Sequence, residues 1–256
     1  MTPLDGLYSG KQINPKRRHN VAFFFDFVLH NCYNTLMLFN PRFQYNKLKR
    51  VEKDGTRLYE TPMGAVASVT TILDATKDKT FLIEWRKRVG EQQANQISKE
   101  ASGLGTLMHT HLENYVLGKE RPKGNNQVQV MATAMADTMI REAFCDIDEV
   151  WGIEASLYYP GLYAGTTDMV GIHKGTPAII DHKTSNKPKK KEWIEDYFLQ
   201  CCAYAIAHNE VHGTDIKKCV VNIVDRNATL QPFIIEGAEF DHYADLWTQR
   251  VDQYYR

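Results

Sequence analysis

The stretch from Gly161 to Tyr204 constrains this chain more than any other, because it sets two like charges against each other in a β-hairpin. Val170 to Ile172 and Ala178 to Ile180 are short β-rich runs. Between them lies His173-Lys174-Gly175-Thr176, with glycine where a tight turn needs positive φ. A two-residue Lys174-Gly175 turn pairs His173 with Thr176, Ile172 with Pro177, Val170 with Ile179 and Asp168 with Asp181. Pro177 then falls at a non-hydrogen-bonded position, where its missing donor is not needed. The same alternation makes Asp168 and Asp181 a non-hydrogen-bonded pair, with Cα atoms about 4.5 Å apart. Opposed like charges destabilise a sheet, but a cation between them reverses the sign. Lys183, two residues past Asp181, shares its strand face. Two acids and a lysine so placed predict a divalent metal site beside a cationic group; the alternative is a surface hairpin with solvated charges.

The rest of the chain predicts the frame around this hairpin. Residues 1–20 read as a polar arm, and a helix is expected over 21–38. A hairpin turning at Asp54-Gly55 follows. The β-branched segment Ser68–Leu73 reads as a short extended piece whose hydroxyls cap the next helix. Phe81–Lys99 is amphipathic at helical spacing, Ser102-Gly103-Leu104-Gly105 is expected to break it, and a new helix is expected from Thr106 to Leu117. Another helix spans 127–144. From Val150 to Tyr159 the period switches to two, with Trp151, Ile153 and Leu157 on one side and Glu154, Ser156 and Tyr158 on the other. Beyond the central hairpin come a helix over 191–208, a last hairpin around Asp225–Ala228 and a closing helix over 240–255. The pattern is an α/β domain with helical additions before it. The expected division is 1–100 for arm, hairpin and helices packing on the core, and 101–256 for the core.

Charge and cysteine usage narrow the setting. Thirty-one basic and 31 acidic residues cancel, so any basic surface must be local. The candidates are KQINPKRRHN at 11–20, NKLKR at 46–50 and NKPKKK at 186–191. Cys32, Cys145, Cys201, Cys202 and Cys219 are odd in number and contain no CxxC. That predicts a reducing, cytoplasmic compartment without a disulfide framework or zinc module. The apolar run from Val21 to Phe39 carries Asp26, His30, Asn31 and Asn34, so a buried or interfacial helix is expected, not a signal peptide or membrane span.

Four motifs taken together resemble the RecB-like exonuclease branch of the PD-(D/E)xK nuclease superfamily. They are Gly105-Thr106-Leu107-Met108-His109, Gly165-Thr166-Thr167-Asp168, Asp181-His182-Lys183-Thr184 and Gln200-Cys201-Cys202-Ala203-Tyr204. The likeness covers 105–204, with a weaker extension towards the N-terminus that is similar to phage and mitochondrial exonucleases of this branch. It implies a restriction-endonuclease-like core, a mixed central sheet flanked by helices. It implies Asp168, Asp181 and Lys183 as catalytic residues. Metal ligands would be Asp168, Asp181, the backbone carbonyl of His182, His109 and Glu154, holding Mg²⁺ or Mn²⁺. Glu113, four residues after His109, shares its helix face. Lys183 would orient or deprotonate the attacking water and offset phosphate charge. Gln200 and Tyr204, on one helix face, would align the site and touch the strand. Thr184, Ser185, Lys187, Lys189 and Lys190 would contact the DNA backbone. The cysteines lack the spacing of the subgroup that binds an iron–sulfur cluster, so no cluster is expected.

The expected function is a metal-dependent DNA exonuclease acting on single strands or DNA ends, without a membrane role. Phe23–Phe25, Tyr59 and Trp85 could add a base-stacking surface. Two alternatives stand beside it: a structure-specific endonuclease on the same fold, and a catalytically silent DNA-binding recombination partner.

Overall fold

Nine strands join in one mixed sheet among the residues that the computed structural model describes, 38–53 and 55–256. The arm expected at 1–20 and the aromatics Phe23–Phe25 lie outside those residues, as does the helix expected over 21–38 except for its last residue, Leu38, which opens a strand. The strands are β1 (Leu38–Phe39), β2 (Lys49–Lys53), β3 (Thr56–Thr61), β4 (Gly64–Ser68), β5 (Ile147–Tyr159), β6 (Tyr163–His173), β7 (Thr176–Ser185), β8 (Lys218–Asp225) and β9 (Leu230–Glu236). The order is β2-β3-β4-β6-β7-β8-β9, with β5 against β6 and β1 against β5. The β4/β6, β7/β8 and β1/β5 pairs are parallel and the others antiparallel.

Helices cover both faces, which is why the central strands read as continuous apolar runs. On one face lie α1 (Val69–Thr76), α5 (Glu195–His212) and α6 (Ala238–Tyr255). Their Ile72, Phe198, Leu199 and Trp247 form one core with Val170, Ile179 and Val221. On the other face lie α3 (Glu91–Val116) and α4 (Gln127–Glu142), whose Met108, Leu112, Met135 and Met139 pack with Met169, Ile180 and Val220. Neighbours such as Ile179 and Ile180 therefore serve opposite cores, as period two requires. This is the expected mixed sheet flanked by helices. The parallel step from β7 to β8 needs a crossover, and α5 supplies it.

Three local expectations give way to tertiary structure. First, Ser102–Gly105 does not break a helix: α3 runs unbroken through Gly103 and Gly105, and the break falls at Gly90, φ 85°, between α2 (Thr80–Val89) and α3. Each helical glycine costs about 1 kcal/mol, while a buried Leu or Met contributes about 1.5–3 kcal/mol. Leu104, Met108 and Leu112 together outweigh the two glycines. Second, only Ser68 of the Ser68–Leu73 segment is extended. It caps α1, its hydroxyl accepting from the Thr71 N–H at 3.0 Å, and the β-branched residues after it are helical. Third, Ile153 does not share a face with Trp151 and Leu157. It packs with the α3/α4 core while they pack with the other. An extra residue between Val150 and Gly152 and a positive φ at Glu154 shift the alternation.

Candidate metal centre and its cleft

The central hairpin has the register expected from its turn, from His173↔Thr176 to Met169↔Ile180. The ladder stops there, one pair short of Asp168 and Asp181. In place of a backbone bond, the Asp168 carboxylate accepts the N–H of His182 at 2.7 Å. The same edge of β6 is taken up again by β4 at Tyr163 and Ala164, because β5 occupies the opposite edge along the whole strand. Residues 165–168 therefore lie in a gap between β4 and β7. A splayed sheet is where side chains can reach a ligand from the middle of a strand.

Glu154 on β5 lies across from this gap. It has φ 47°, a left-handed conformation rare for a residue with a side chain. Such strain, of order 1–3 kcal/mol, clusters at functional sites. The kink brings the Glu154 carboxylate beside Asp168 and His109, and one ligand atom from each of the three lies within 4.8 Å of the others. His109 comes from α3, its Nδ1 3.6 Å from Asp168 Oδ1. Nitrogen from imidazole and oxygen from two carboxylates suit a hard or borderline divalent cation, bound at about 2.0–2.6 Å.

The electrostatics fit a cation. Desolvation, and then the charge of Asp168, push the Glu154 carboxyl up to about 7. Burial also raises Asp168, but His109, Lys183 and His182 outweigh it and hold its carboxyl below the ordinary range. Asp181, 1% exposed, is pushed up to about 6, chiefly by burial, with Lys183 pulling against. Its Oδ2 is buried. Three crowded carboxylates, two of them holding protons more tightly than usual, are stabilised by a positive ion.

Asp181 and Lys183 form a second cluster. Lys183 Nζ is 2.6 Å from both carboxylate oxygens and 5.3 Å from the centre of the Tyr197 ring on α5. The two acids raise the lysine above its ordinary range against the burial that opposes it. Asp181 is not within the 4.8 Å group, since its carboxylate turns to the lysine. The sequence reading did not single out Tyr197; its one signal was lying three residues before Gln200, on the same helix face. The His182 ring lies tilted against Phe144, centres 5.3 Å apart, and burial pushes its pKa down to about 4.

The other expected residues are distributed unevenly. Tyr204 is buried, and Gln200 Nε2 donates to its hydroxyl at 3.3 Å. A Cβ on Gly165 would come within 2.8 Å of the Tyr204 ring, so the glycine of Gly165–Asp168 makes room for the tyrosine of the α5 motif. Thr184 Oγ1 lies 3.6 Å from where a Gly105 Cβ would stand, joining the α3 motif to β7. The Ser185 hydroxyl is engaged locally, donating to the Lys187 carbonyl at 2.5 Å. Lys189 exchanges backbone bonds with the Gln231 side chain, and Lys190 lies over Trp193. His111 is buried and accepts from Arg121, away from His109. Cys201, Cys202 and Cys219 are buried.

A cleft of about 1140 Å³ opens over the centre. His109, Glu113, Glu154 and Thr166 line one part of it. Lys47, Lys49, Arg50 and Tyr59, from β2, β3 and the segment before β2, line another. Tyr59 is largely buried, with 9% of its surface exposed.

No family model matches the chain. It is similar to mitochondrial genome maintenance exonuclease 1 of Xenopus tropicalis, 26% identical over 212 residues, covering 75% of this chain and 58% of that protein. The human protein of the same name is 24% identical over 203 residues, covering 74% and 58%. The chain thus spans less than two thirds of the length of the curated relatives it matches. A crystal structure of an alkaline exonuclease from Laribacter hongkongensis gives a TM-score of 0.32 at 13% identity, covering 73% of this chain and 88% of that one. Relatives named as exonucleases support the RecB-like PD-(D/E)xK likeness read from the motifs. No helix among the described residues is long and apolar enough to cross a membrane.

Proposed function

We propose that the chain is a Mg²⁺- or Mn²⁺-dependent DNA exonuclease that hydrolyses phosphodiester bonds at single strands or DNA ends. The observation that carries this reading is the convergence of His109, Glu154 and Asp168 from three separate elements onto one point beside the Asp181–Lys183 pair. Exonuclease relatives support it.

Asp168, Glu154 and His109 would hold the cation, with Asp181 joining on release from Lys183. A divalent cation bound there supplies Lewis acidity, lowering the pKa of water and offsetting phosphate charge. Lys183 is held charged by two acids, so it serves as a fixed cation facing the developing negative charge, and not as a base. Tyr197 confines its ammonium from the α5 side. Asp168 fixes the backbone of His182 and so the direction of the Asp181–Lys183 strand end.

The test is digestion of end-labelled single- and double-stranded DNA in Mg²⁺, Mn²⁺ or EDTA. Cleavage should require a divalent metal, and cleavage in EDTA would refute the mechanism. Circular single-stranded DNA should stay intact; its digestion would favour the endonuclease alternative.

A further inference from the structure

We infer that Lys47, Lys49 and Arg50 form the phosphate-gripping wall of the metal cleft, holding the DNA strand that carries the scissile bond; this rests on the nuclease reading above. Of the basic runs among the described residues, 46–50 contributes to the cleft lining and 186–191 does not. Within the second run, Lys190 Nζ lies 3.9 Å from Glu192 and Lys191 Nζ 2.5 Å from Glu239, outside that cleft.

The segment carrying the first run is built in place. The Tyr45 ring packs on Gly152, where any Cβ would come within 2.4 Å of it. Its hydroxyl lies 2.9 Å from His208 Nε2, and His208 is fully buried. Arg42 makes two 2.6 Å bonds to Glu149, and the Phe43 ring sits edge-on to Trp151 at 5.4 Å. Leu48 packs with Tyr59 and Val66. The backbone from 42 to 48 is thus anchored across β5 while the charged ends stay exposed. A pre-ordered segment loses less entropy when it captures a ligand.

The charges are also available. Among the described residues, neither Lys47 nor Arg50 makes an ion pair, and Lys49 makes only an exposed pair with Glu60 at 3.3 Å. Such surface pairs are weak and easily exchanged. None of the three pairs with Glu113, Glu154 or Asp168, although all but Asp168 line the same cleft. One wall is cationic and the floor is an acidic cation site. A polyanion whose phosphates meet the wall while one phosphate meets the bound cation is complementary to both.

The experiment measures anisotropy of a labelled single-stranded oligonucleotide with Ca²⁺ in place of Mg²⁺, across salt concentrations, for the full chain. The triple variant Lys47→Ala/Lys49→Ala/Arg50→Ala should bind about 10- to 100-fold more weakly, with the slope of log K against log salt reduced by about 2. Its kcat/KM should fall by a similar factor. The matching variant Lys187→Ala/Lys189→Ala/Lys190→Ala should lose less than about threefold in affinity. A cleft triple variant that binds like the wild type with an unchanged slope overturns the inference, as does an equal loss in the second variant. Wild-type cleavage is read in Mg²⁺ on the same preparation: its absence would strike the nuclease reading, whereas unchanged binding by the cleft variant strikes the wall alone.

Discussion

The two acidic strands at the centre of this molecule carry the same residue in opposite states. Asp168 on β6 lies in a gap of the sheet, 3.6 Å from His109, with its carboxyl held below the ordinary range. Asp181 on β7 is almost fully buried, locked to Lys183 at 2.6 Å, with its carboxyl pushed up to about 6. One acid faces a histidine and the other a lysine. The difference teaches that one interrupted rung of the ladder is enough to give two neighbouring acids different partners and opposite shifts.

The largest expected effect breaks the first acid. Asp168→Asn should lower cleavage by about 10³-fold or more, and Mn²⁺ binding by calorimetry should disappear with it. Asp181→Asn should cut cleavage as deeply yet leave measurable Mn²⁺ binding; equal loss of metal affinity in both would erase the distinction. Next comes stability without metal. Asp181→Ala strands the mostly buried Lys183 ammonium and should cost about 3 kcal/mol in chemical denaturation. Lys183→Met, which removes the cation, should cost less stability but about 10²-fold in kcat.

Acidity tests the same contrast at intermediate size. Glu154 and Asp181 hold protons up to about 7 and about 6, above their ordinary 4.5 and 3.8. Bound metal must displace those protons, so Mn²⁺ affinity should climb as pH rises from about 5 to about 7. For the metal-free protein the sign is opposite. At these two groups the folded state binds more protons than the unfolded one in this window. The contribution of these two acids, read as the difference between wild type and Glu154→Gln/Asp181→Asn, should therefore fall as pH rises through it, while His111, His173, His182, His208 and His212, lowered by burial, contribute in the opposite direction. A difference between wild type and that variant that grows with pH over the window would contradict the desolvated reading of these acids. The smallest effect concerns the kink: Glu154→Gly should stabilise the metal-free fold by about 0.5–1 kcal/mol by relieving the positive φ, while weakening metal binding.

Much of this was legible in the chain because it rests on local periodicity. The hairpin register, the Lys174-Gly175 turn, the crossover helix and the last hairpin follow from alternation and glycine placement. Asp168, Asp181, Lys183 and His109 stood out by motif. Tyr197 did not, because an aromatic one turn before Gln200 looks like any core residue until the Lys183 ammonium is seen 5.3 Å from its ring. The basic run at 46–50 carried no more signal than the one at 186–191. Chain folding, through Tyr45 on Gly152, puts the first in the cleft.

What the sequence determined by itself is the chemistry available: two acids and a lysine on adjacent strands, with a histidine one helix away. Their residue types and the two-residue periodicity need no long-range information. Tertiary structure decided how they are shared. It ended the β6–β7 ladder before the acids met, forced Glu154 into a left-handed kink and ran α3 straight through two glycines to deliver His109. Each of those outcomes trades a local preference against burial or charge contributed by residues far along the chain, and such balances are struck only when the layers pack.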